Sequence, residues 1–193
     1  MSAGIDSKLW WYIARSSGIV SWLILSVSII WGVLLAGRLI KTKGAPRWLD
    51  DLHRFLGALS IAFVLVHMLG LFADSYTHFA WKELFVPFGS PWKTGAVAWG
   101  VVAFYFLLAV ELTSLVRKRI PRKWWRGVHF ASYGLYVMAT IHGIYSGTDR
   151  HKWYFAKGAV IVVIITVVAI GNRALQAWKK KQARTARKSG AVA

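Results

Sequence analysis

Two apolar stretches, HRFLGALSIAFVLVH at residues 53–67 and HFASYGLYVMATIH at residues 129–142, decide the fold. Each stretch begins and ends with a histidine, and the only other charged residue in either is Arg54. A helix rises 1.5 Å per residue, so each stretch would hold its two histidines about 20 Å apart. Ionisable side chains inside membrane spans are costly and usually functional. The four histidines are therefore the first candidates for a functional site.

Three further apolar stretches approach the roughly 20 residues that a helix needs to cross a bilayer. A backbone in lipid must satisfy its own hydrogen bonds, so each stretch is predicted to be a helix. The sequence thus predicts an all-α integral membrane protein, a single domain over residues 1–193 with five transmembrane helices in a bundle. The predicted spans are at about 18–37, 53–73, 95–115, 127–146 and 158–175, followed by a basic cytoplasmic tail at 176–193. The proline-broken aromatic segment 78–92 is expected on the outer membrane surface.

The composition restricts the chemistry. Hydrophobic residues make up 56% of the chain, and there is no cysteine, which excludes disulfides, thiolate metal sites and iron–sulfur clusters. A net charge of +18 is compatible with nucleic-acid binding, but the 25 basic residues lie between apolar runs instead of along one polar face. We therefore expect the lipid bilayer, and no nucleic acid, as a partner.

The basic residues also predict the orientation. Eighteen of the 25 lie in the loops after spans one and three and after span five, on one side of the membrane. Short loops rich in Lys and Arg stay in the cytoplasm. The chain is thus expected to be a multi-pass protein of the inner or plasma membrane, with its N-terminus outside and its C-terminus in the cytoplasm.

The depths of the histidines favour haem ligation. Spans two and four run in the same direction, so His53 is expected level with His129, and His67 level with His142. Facing imidazoles at two depths suit the axial ligation of two b-type haems between spans two and four, with His53 and His129 on the inner iron and His67 and His142 on the outer iron. Interhelical hydrogen bonds are the alternative. One haem or a different metal also remains open.

The two spans differ in how their paired histidines are oriented about the helix axis. A spacing of 14 residues leaves two side chains about 40° apart, whereas 13 residues leave them about 140° apart. The second spacing requires a bulge, a kink or different approach angles in span four, and Gly134 is a candidate place for one. Small residues near the histidines would let a flat macrocycle approach the backbone, or would only permit close helix packing: Gly57, Ala58, Gly70, Gly134 and Gly143.

Longer motifs surround the histidines: IARSSGIVSWLILS at 13–26, LHRFLG at 52–57, WRGVHFASYG at 125–134 and IHGIYSGTD at 141–149. Together with the spacings of 14 and 13, they resemble the ferric reductase transmembrane family. That family includes NADPH oxidases and the haem subunit of the bacterial periplasmic methionine sulfoxide reductase system. The resemblance covers about 160 residues. It implies two haems b, it accounts for the 13-residue spacing, and it assigns Arg15 a role near the outer haem.

The chain departs from these relatives in ways that affect its expected function. Most have six spans, of which the first has no counterpart here, and NADPH oxidases have a histidine where this chain has Leu71. NADPH oxidases also carry a flavin and nicotinamide domain that this sequence does not contain. The electron donor is therefore expected to be another molecule, either a cytoplasmic flavin reductase or a membrane quinol.

Charged and aromatic residues near the span ends are secondary candidates. Haem propionates are anionic, so Arg54, Lys123 and Arg126 are candidates at the inner haem and Arg15 at the outer one, unless all four only anchor helix ends. Glu111 is expected to pair with a loop arginine or to accept a quinol proton. An interfacial belt is predicted for six tryptophans, with a place beside a haem as the alternative for one or two of them: Trp22, Trp48, Trp92, Trp99, Trp124 and Trp153.

These features predict a dihaem membrane cytochrome b that passes electrons across the bilayer to an extracytoplasmic acceptor. As an enzyme it would be the transmembrane component of an oxidoreductase, without its own nucleotide-binding domain. The alternative is a haem-containing anchor that donates electrons to a separate periplasmic oxidoreductase, and a cofactor-free transporter has weaker support. The acceptor is expected to meet the outer haem at a polar rim made of Arg15, His78, Asp149, Arg150 and His151.

The orientation is directly testable. A reporter fused after Ala193 should be active only in the cytoplasm, and one fused before Met1 only outside, because translocating the basic loops is unfavourable. If a protease added to intact cells removes the C-terminal tail, the tail lies outside and the predicted orientation is wrong.

Overall fold

The structure is a computed structural model that describes residues 3–37, 47–75, 79–148 and 152–190. These ranges form helices and contain no strand, which confirms the all-α prediction for them. The helices are α1 Ala3–Gly37, α2 Trp48–Ala73, α3 Trp81–Phe85, α4 Thr94–Leu115, α5 Arg122–Phe130, α6 Ser132–Ser146 and α7 Trp153–Gly190.

Four helices in the described ranges are long and apolar enough to cross a membrane, over Lys8–Ala36, Trp48–Ala73, Thr94–Leu115 and Ala156–Arg187. They correspond to predicted spans one, two, three and five, and the chain is a multi-pass membrane protein. The predicted span 127–146 instead falls on α5 and α6, of 9 and 15 residues, which are separated at Ala131. Neither helix alone reaches the length of a span. The count of five spans therefore stays a prediction.

The first and last long helices extend beyond the predicted spans. Helix α1 begins at Ala3, well before residue 18, and α7 continues past residue 175 to Gly190. Hydropathy identifies only the part of a helix that lies in lipid. Lysine, arginine, glutamine and alanine are strong helix formers in water as well, so the helix has no reason to stop at the membrane surface.

The helices pack in two antiparallel pairs, α1 along α2 and α4 along α6, and α7 lies against α1. Between the pairs, buried residues of α4 and α6, among them Leu107 and Leu135, contact Leu25 of α1 and Ile61 of α2. On the α7 side, Ile29 and Val33 of α1 form a second cluster with residues of α6 and α7. The bundle thus brings α2 and α6, which carry three of the four candidate histidines, to face each other with α1 and α4 behind them.

Hydroxyl groups inside the bundle are satisfied by their own helices. Ser26 and Ser60 are almost fully buried, and each donates a hydrogen bond to the carbonyl four residues earlier, at 2.8 and 2.9 Å. Thr166 does the same to Val162 at 2.8 Å. The Tyr136 hydroxyl of α6 lies 3.4 Å from both Ser26 and Thr166, so it also links α1 to α7. Local bonds of this kind let serine and threonine lie in an apolar environment.

Trp22 departs from the predicted interfacial belt. Its indole N–H donates to the Thr140 hydroxyl at 2.9 Å, and its ring stacks on Tyr136 with the ring centres 6.3 Å apart. The other five predicted belt tryptophans are exposed: Trp48, Trp92, Trp99, Trp124 and Trp153. Trp22 is therefore a contact between α1 and α6, because Thr140 offers its N–H an acceptor within the bundle.

The short helix α3 joins α2 to α4 on the side of the bundle where Met68 lies. Phe79 and Leu84 are buried in a cluster with Met68 and residues of α4, while Trp81 is 57% exposed. This segment therefore has one apolar face on the bundle and another directed outward.

Gly70 permits the close approach of α1 and α2. A Cβ atom at this position would lie 2.8 Å from the Ala14 backbone nitrogen and 3.0 Å from its Cα atom. Backbone atoms cannot move aside without shifting the whole helix. The close-packing interpretation of Gly70 is therefore the correct one.

We expect Gly70→Ala to destabilise the bundle by about 1–3 kcal/mol, the usual cost of overpacking. Gly134→Ala is the matched control, because nothing lies within 4 Å of a Cβ atom there. Thermal unfolding of the detergent-solubilised protein should show a lower midpoint for Gly70→Ala only. Equal midpoints for the two variants would contradict this packing.

Candidate functional site

The structure brings the four histidines together in the two predicted pairs. The ring centres of His53 and His129 are 6.0 Å apart, and those of His67 and His142 are 6.3 Å apart. The ring planes are close to perpendicular, at 80° and 81°. His53 and His67 lie on α2, His142 on α6 and His129 near the end of α5. Two such pairs along one groove form the candidate site.

The His67–His142 pair is anchored by backbone carbonyls on both sides. Nδ1 of His67 donates to the Ala14 carbonyl at 2.6 Å, and Nδ1 of His142 donates to the Ala96 carbonyl at 2.8 Å. A carbonyl oxygen can only accept, so Nδ1 carries the proton in both rings. The Nε2 atom of each neutral imidazole is then an unprotonated acceptor.

The His53–His129 pair is anchored less well. Nδ1 of His53 lies 3.3 Å from the Ser28 hydroxyl, within hydrogen-bonding distance. Nδ1 of His129 is buried and has no hydrogen-bond partner among the described residues. The His129 ring stacks instead on Trp125, with ring centres 5.2 Å apart and 25° between the planes. The two pairs are therefore built differently.

Glycines leave room for three of the imidazole rings. A Cβ atom at Gly18 would lie 2.9 Å from Nδ1 of His67, one at Gly32 would lie 3.0 Å from Cε1 of His53, and one at Gly100 would lie 2.5 Å from Nδ1 of His142. A larger residue at any of these positions would displace the ring.

Helices α5 and α6 are separated between His129 and His142, the two histidines that are 13 residues apart. Ala131, the residue between the helices, donates its N–H to the carbonyl of Val128, three residues earlier, at 3.0 Å. At this one residue the helix is interrupted, between the end of α5 at Phe130 and the start of α6 at Ser132. The interruption lies three residues before Gly134, the position expected for it, where a Cβ atom would have no neighbour within 4 Å.

Residues 17–140 match the family described as "Ferric reductase like transmembrane component". This match covers more than half of the chain and includes three of the four paired histidines. The chain belongs to the ferric reductase-like transmembrane family. Members of this family bind haem.

Two relatives of this ferric reductase-like chain are similar over about two thirds of its length. "Magnetosome protein MamZ" of Paramagnetospirillum magneticum is 24% identical over 136 residues, which are 69% of this chain and 20% of MamZ. An uncharacterised protein of Archaeoglobus fulgidus is 26% identical over 137 residues, 68% of this chain and 58% of that protein. This chain thus spans only part of both relatives. No solved structure matches it significantly.

The predicted cations of this family member are close in sequence to the histidines or their hydrogen-bond partners. Arg15 follows Ala14, the acceptor for His67, and its guanidinium lies 4.9 Å from the centre of the Trp11 ring. Arg54 follows His53, is exposed and lies 3.7 Å from the Asp51 carboxylate. Arg126 is exposed, 5.8 Å from the Phe130 ring, and Lys123 is exposed one turn before it.

Glu111 does not pair with an arginine among the described residues. Its half-buried carboxylate lies against Gly57 of α2, where a side chain would overlap its oxygen atoms. The expected pairing with a loop arginine is therefore not found in the described loop 116–121. Gly57 makes room for this carboxylate, one helical turn beyond His53, and Ala58 beside it is exposed.

Part of the predicted outer rim lies outside the described residues: His78, Asp149, Arg150 and His151. Among the described residues, the Lys93 ammonium donates to the Tyr145 carbonyl at 3.0 Å and so ties the start of α4 to the end of α6. No three described histidine, aspartate or glutamate side chains converge to form a metal-binding cluster.

Sequence reasoning missed the residues behind the histidines. Ala14 and Ala96 supply carbonyl acceptors, the Ser28 hydroxyl lies within hydrogen-bonding distance of His53, and Trp125 supplies the stacking surface. A usable signal was present, since Ala14, Ser28 and Ala96 are each followed four positions later by a glycine that faces the same imidazole. Trp125 had no comparable signal, because many tryptophans of this chain lie at helix ends.

Proposed function

We propose that this chain is a dihaem membrane cytochrome b with five spans, which carries electrons from a cytoplasmic donor or a membrane quinol to an extracytoplasmic acceptor. His53 and His129 would bind the inner haem iron, and His67 and His142 the outer one. Haem, when bound, supplies one-electron redox chemistry. Membership of a haem-binding family supports the proposal.

The observation that carries the proposal is the hydrogen bonding of the His67–His142 pair. Both Nδ1 atoms donate to carbonyls, so both Nε2 atoms are acceptors. Two neutral imidazoles in this state cannot hydrogen-bond to each other, because neither has a donor left. The pair therefore suits a Lewis acid between the rings. Metal-ligating histidines commonly donate their second nitrogen to a carbonyl in this way.

The ring separations fit a metal between the imidazoles. Two metal–nitrogen bonds of about 2 Å, with about 1 Å from each nitrogen to its ring centre, give about 6 Å. The observed separations are 6.0 and 6.3 Å. The macrocycle supplies four ligands to the iron, so haem requires only two from the protein, and a cluster of three or more is not needed.

Each residue has a distinct task in this proposal. The imidazoles would hold the two irons at depths about 20 Å apart along α2, which would divide the path across the bilayer into shorter steps. Arg54, Lys123 and Arg126 would attract propionates at the inner haem, and Arg15 at the outer one. The packed apolar residues of α4 and α6 exclude water between the two levels.

A second candidate function is an electron-donating anchor for a separate oxidoreductase. The helical extension of α7 favours it. Between residues 176 and 193 there are six basic residues and no acidic one, and described helix continues to Gly190. Such an extension suits an acidic protein partner. Copurification of a soluble partner, with no reduction of ferric chelates by the isolated chain, would favour the anchor.

We expect about two low-spin haems per purified chain. His67→Ala and His142→Ala should each remove the outer haem, and His53→Ala and His129→Ala the inner one, because each iron needs both of its imidazoles. The haem-to-protein ratio and the visible spectrum measure this. If variants of one pair lose different haems, the pairing is wrong, and a colourless wild-type protein excludes the cytochrome.

Arg15→Ala should slow the oxidation of the outer haem by an anionic acceptor such as a ferric chelate. The cation would attract such an acceptor, and the attraction should weaken with salt. Stopped-flow oxidation across a salt series measures the effect, with a neutral acceptor as the control. Haem content should stay at the wild-type value. Identical salt dependence in Arg15→Ala and wild type would show that Arg15 is not part of the site where the acceptor meets the outer haem.

A further inference from the structure

Helix α1 holds the two histidines of α2 in two equivalent notches. We use the term notch for an acceptor residue and a glycine four positions later that together enclose one imidazole. Ala14 and Gly18 form the first notch, and Ser28 and Gly32 form the second. The notches are 14 residues apart, the same spacing as His53 and His67, so the antiparallel pair α1–α2 stays in register at both levels.

Helix α4 forms a third notch and no fourth one. Ala96 and Gly100 enclose His142. Fourteen residues further along the same helix face, the corresponding positions are Val110 and Ser114. Val110 is buried, and Ser114 accepts the Trp125 indole N–H at 3.4 Å. The Val110 side chain and the Trp125 indole thus occupy the positions at which a fourth notch would lie.

The histidine spacing explains this difference. His129 and His142 are 13 residues apart, whereas the two notches of α1 are 14 residues apart, a spacing that keeps two positions within about 40° on one helix face. His129 is therefore one residue out of step with the face of α4 that holds His142. Its ring centre lies 6.0 Å from that of His53, yet no described acceptor reaches its Nδ1.

His129 is thus the least supported of the four imidazoles. The other three have an oxygen within hydrogen-bonding distance of Nδ1 and a glycine against the ring. His129 has a stacked indole, and its buried Nδ1 has no hydrogen-bond partner among the described residues. A second-nitrogen hydrogen bond fixes ring orientation and raises ligand basicity, and its loss typically lowers metal affinity 10- to 100-fold.

We propose that His129 is the exchangeable ligand of the chain, and that the inner site accepts a small neutral ligand in its place. The inference rests on the proposed dihaem function. Carbon monoxide is the probe. Carbon monoxide would bind the ferrous iron in place of Nε2 of His129, with no change in oxidation state. His53, held in its notch, would remain a ligand.

The test is a carbon monoxide titration of the purified, reduced full chain, followed by visible absorption. Two phases of equal amplitude are expected, with half-saturation concentrations about 10- to 100-fold apart. A single phase that includes all the haem, or no adduct at all, overturns the inference. Absence of haem from the protein overturns the proposed function instead, so the two failures are distinguishable.

Two histidine variants assign the phases. His67→Ala, which should retain only the inner haem, is expected to show the tight phase, and His53→Ala, which should retain only the outer haem, the weak one. The reverse assignment overturns the inference. If these variants hold no haem, the wild-type titration still tests the inference. Equal affinity for carbon monoxide at the two haems would contradict the proposal that His129 is held less firmly than the other three histidines.

A glycine variant tests the role of the notch itself. Gly100→Ala places a Cβ atom 2.5 Å from Nδ1 of His142 and should displace that ring from the Ala96 carbonyl. In the haem that the variant retains, the weak phase should then shift at least several-fold toward the tight one. Gly95→Ala is the matched control on the same helix, because nothing lies within 4 Å of its Cβ atom. An unchanged weak phase in Gly100→Ala, or the same shift in both variants, rejects the notch.

Discussion

An imidazole in an apolar bundle needs an acceptor for its N–H group, and there is no bulk water in a membrane to provide one. In this chain the acceptors for His67 and His142 are carbonyls of neighbouring helices that are already bonded within their own helix. A carbonyl has two lone pairs and can accept a second bond only if the imidazole comes close to the helix axis. Small residues on α1 and α4 make that approach possible, and the pairing of α1 with α2 and of α4 with α6 follows from it.

Much of this arrangement is readable from the sequence. Apolar length located α2 and α4 to within a few residues, and counting residues between histidines gave their levels, because the rise of a helix does not depend on its neighbours. The predicted direction of the spans indicated which histidines face each other, His53 with His129 and His67 with His142. Family membership, inferred from the motifs around the histidines, was confirmed.

Other features depend on contacts that no periodicity reports. The break at Ala131 was expected at Gly134, because glycine is the usual signal for a flexible position, yet the residue that tightens the turn is an alanine. Glu111 was expected to meet an opposite charge, but the space beside Gly57 accommodates its carboxylate. Trp22 was assigned to the interface from its residue type, whereas Thr140, 118 residues away, decides its place. The errors for Glu111 and Trp22 each concern a choice between partners that are distant in sequence.

The main-chain origin of two acceptors has a consequence for genetics. No substitution at Ala14 or Ala96 can delete the carbonyl that each contributes, since every residue carries one. A mutational scan would therefore register these positions as limits on side-chain volume and would give no hint of a hydrogen bond. At Ser28 the side-chain hydroxyl lies 3.3 Å from Nδ1 of His53, so a substitution there removes one polar contact that a scan can detect. The polar chemistry behind the histidines is thus largely hidden from substitution data, and only coordinates reveal it.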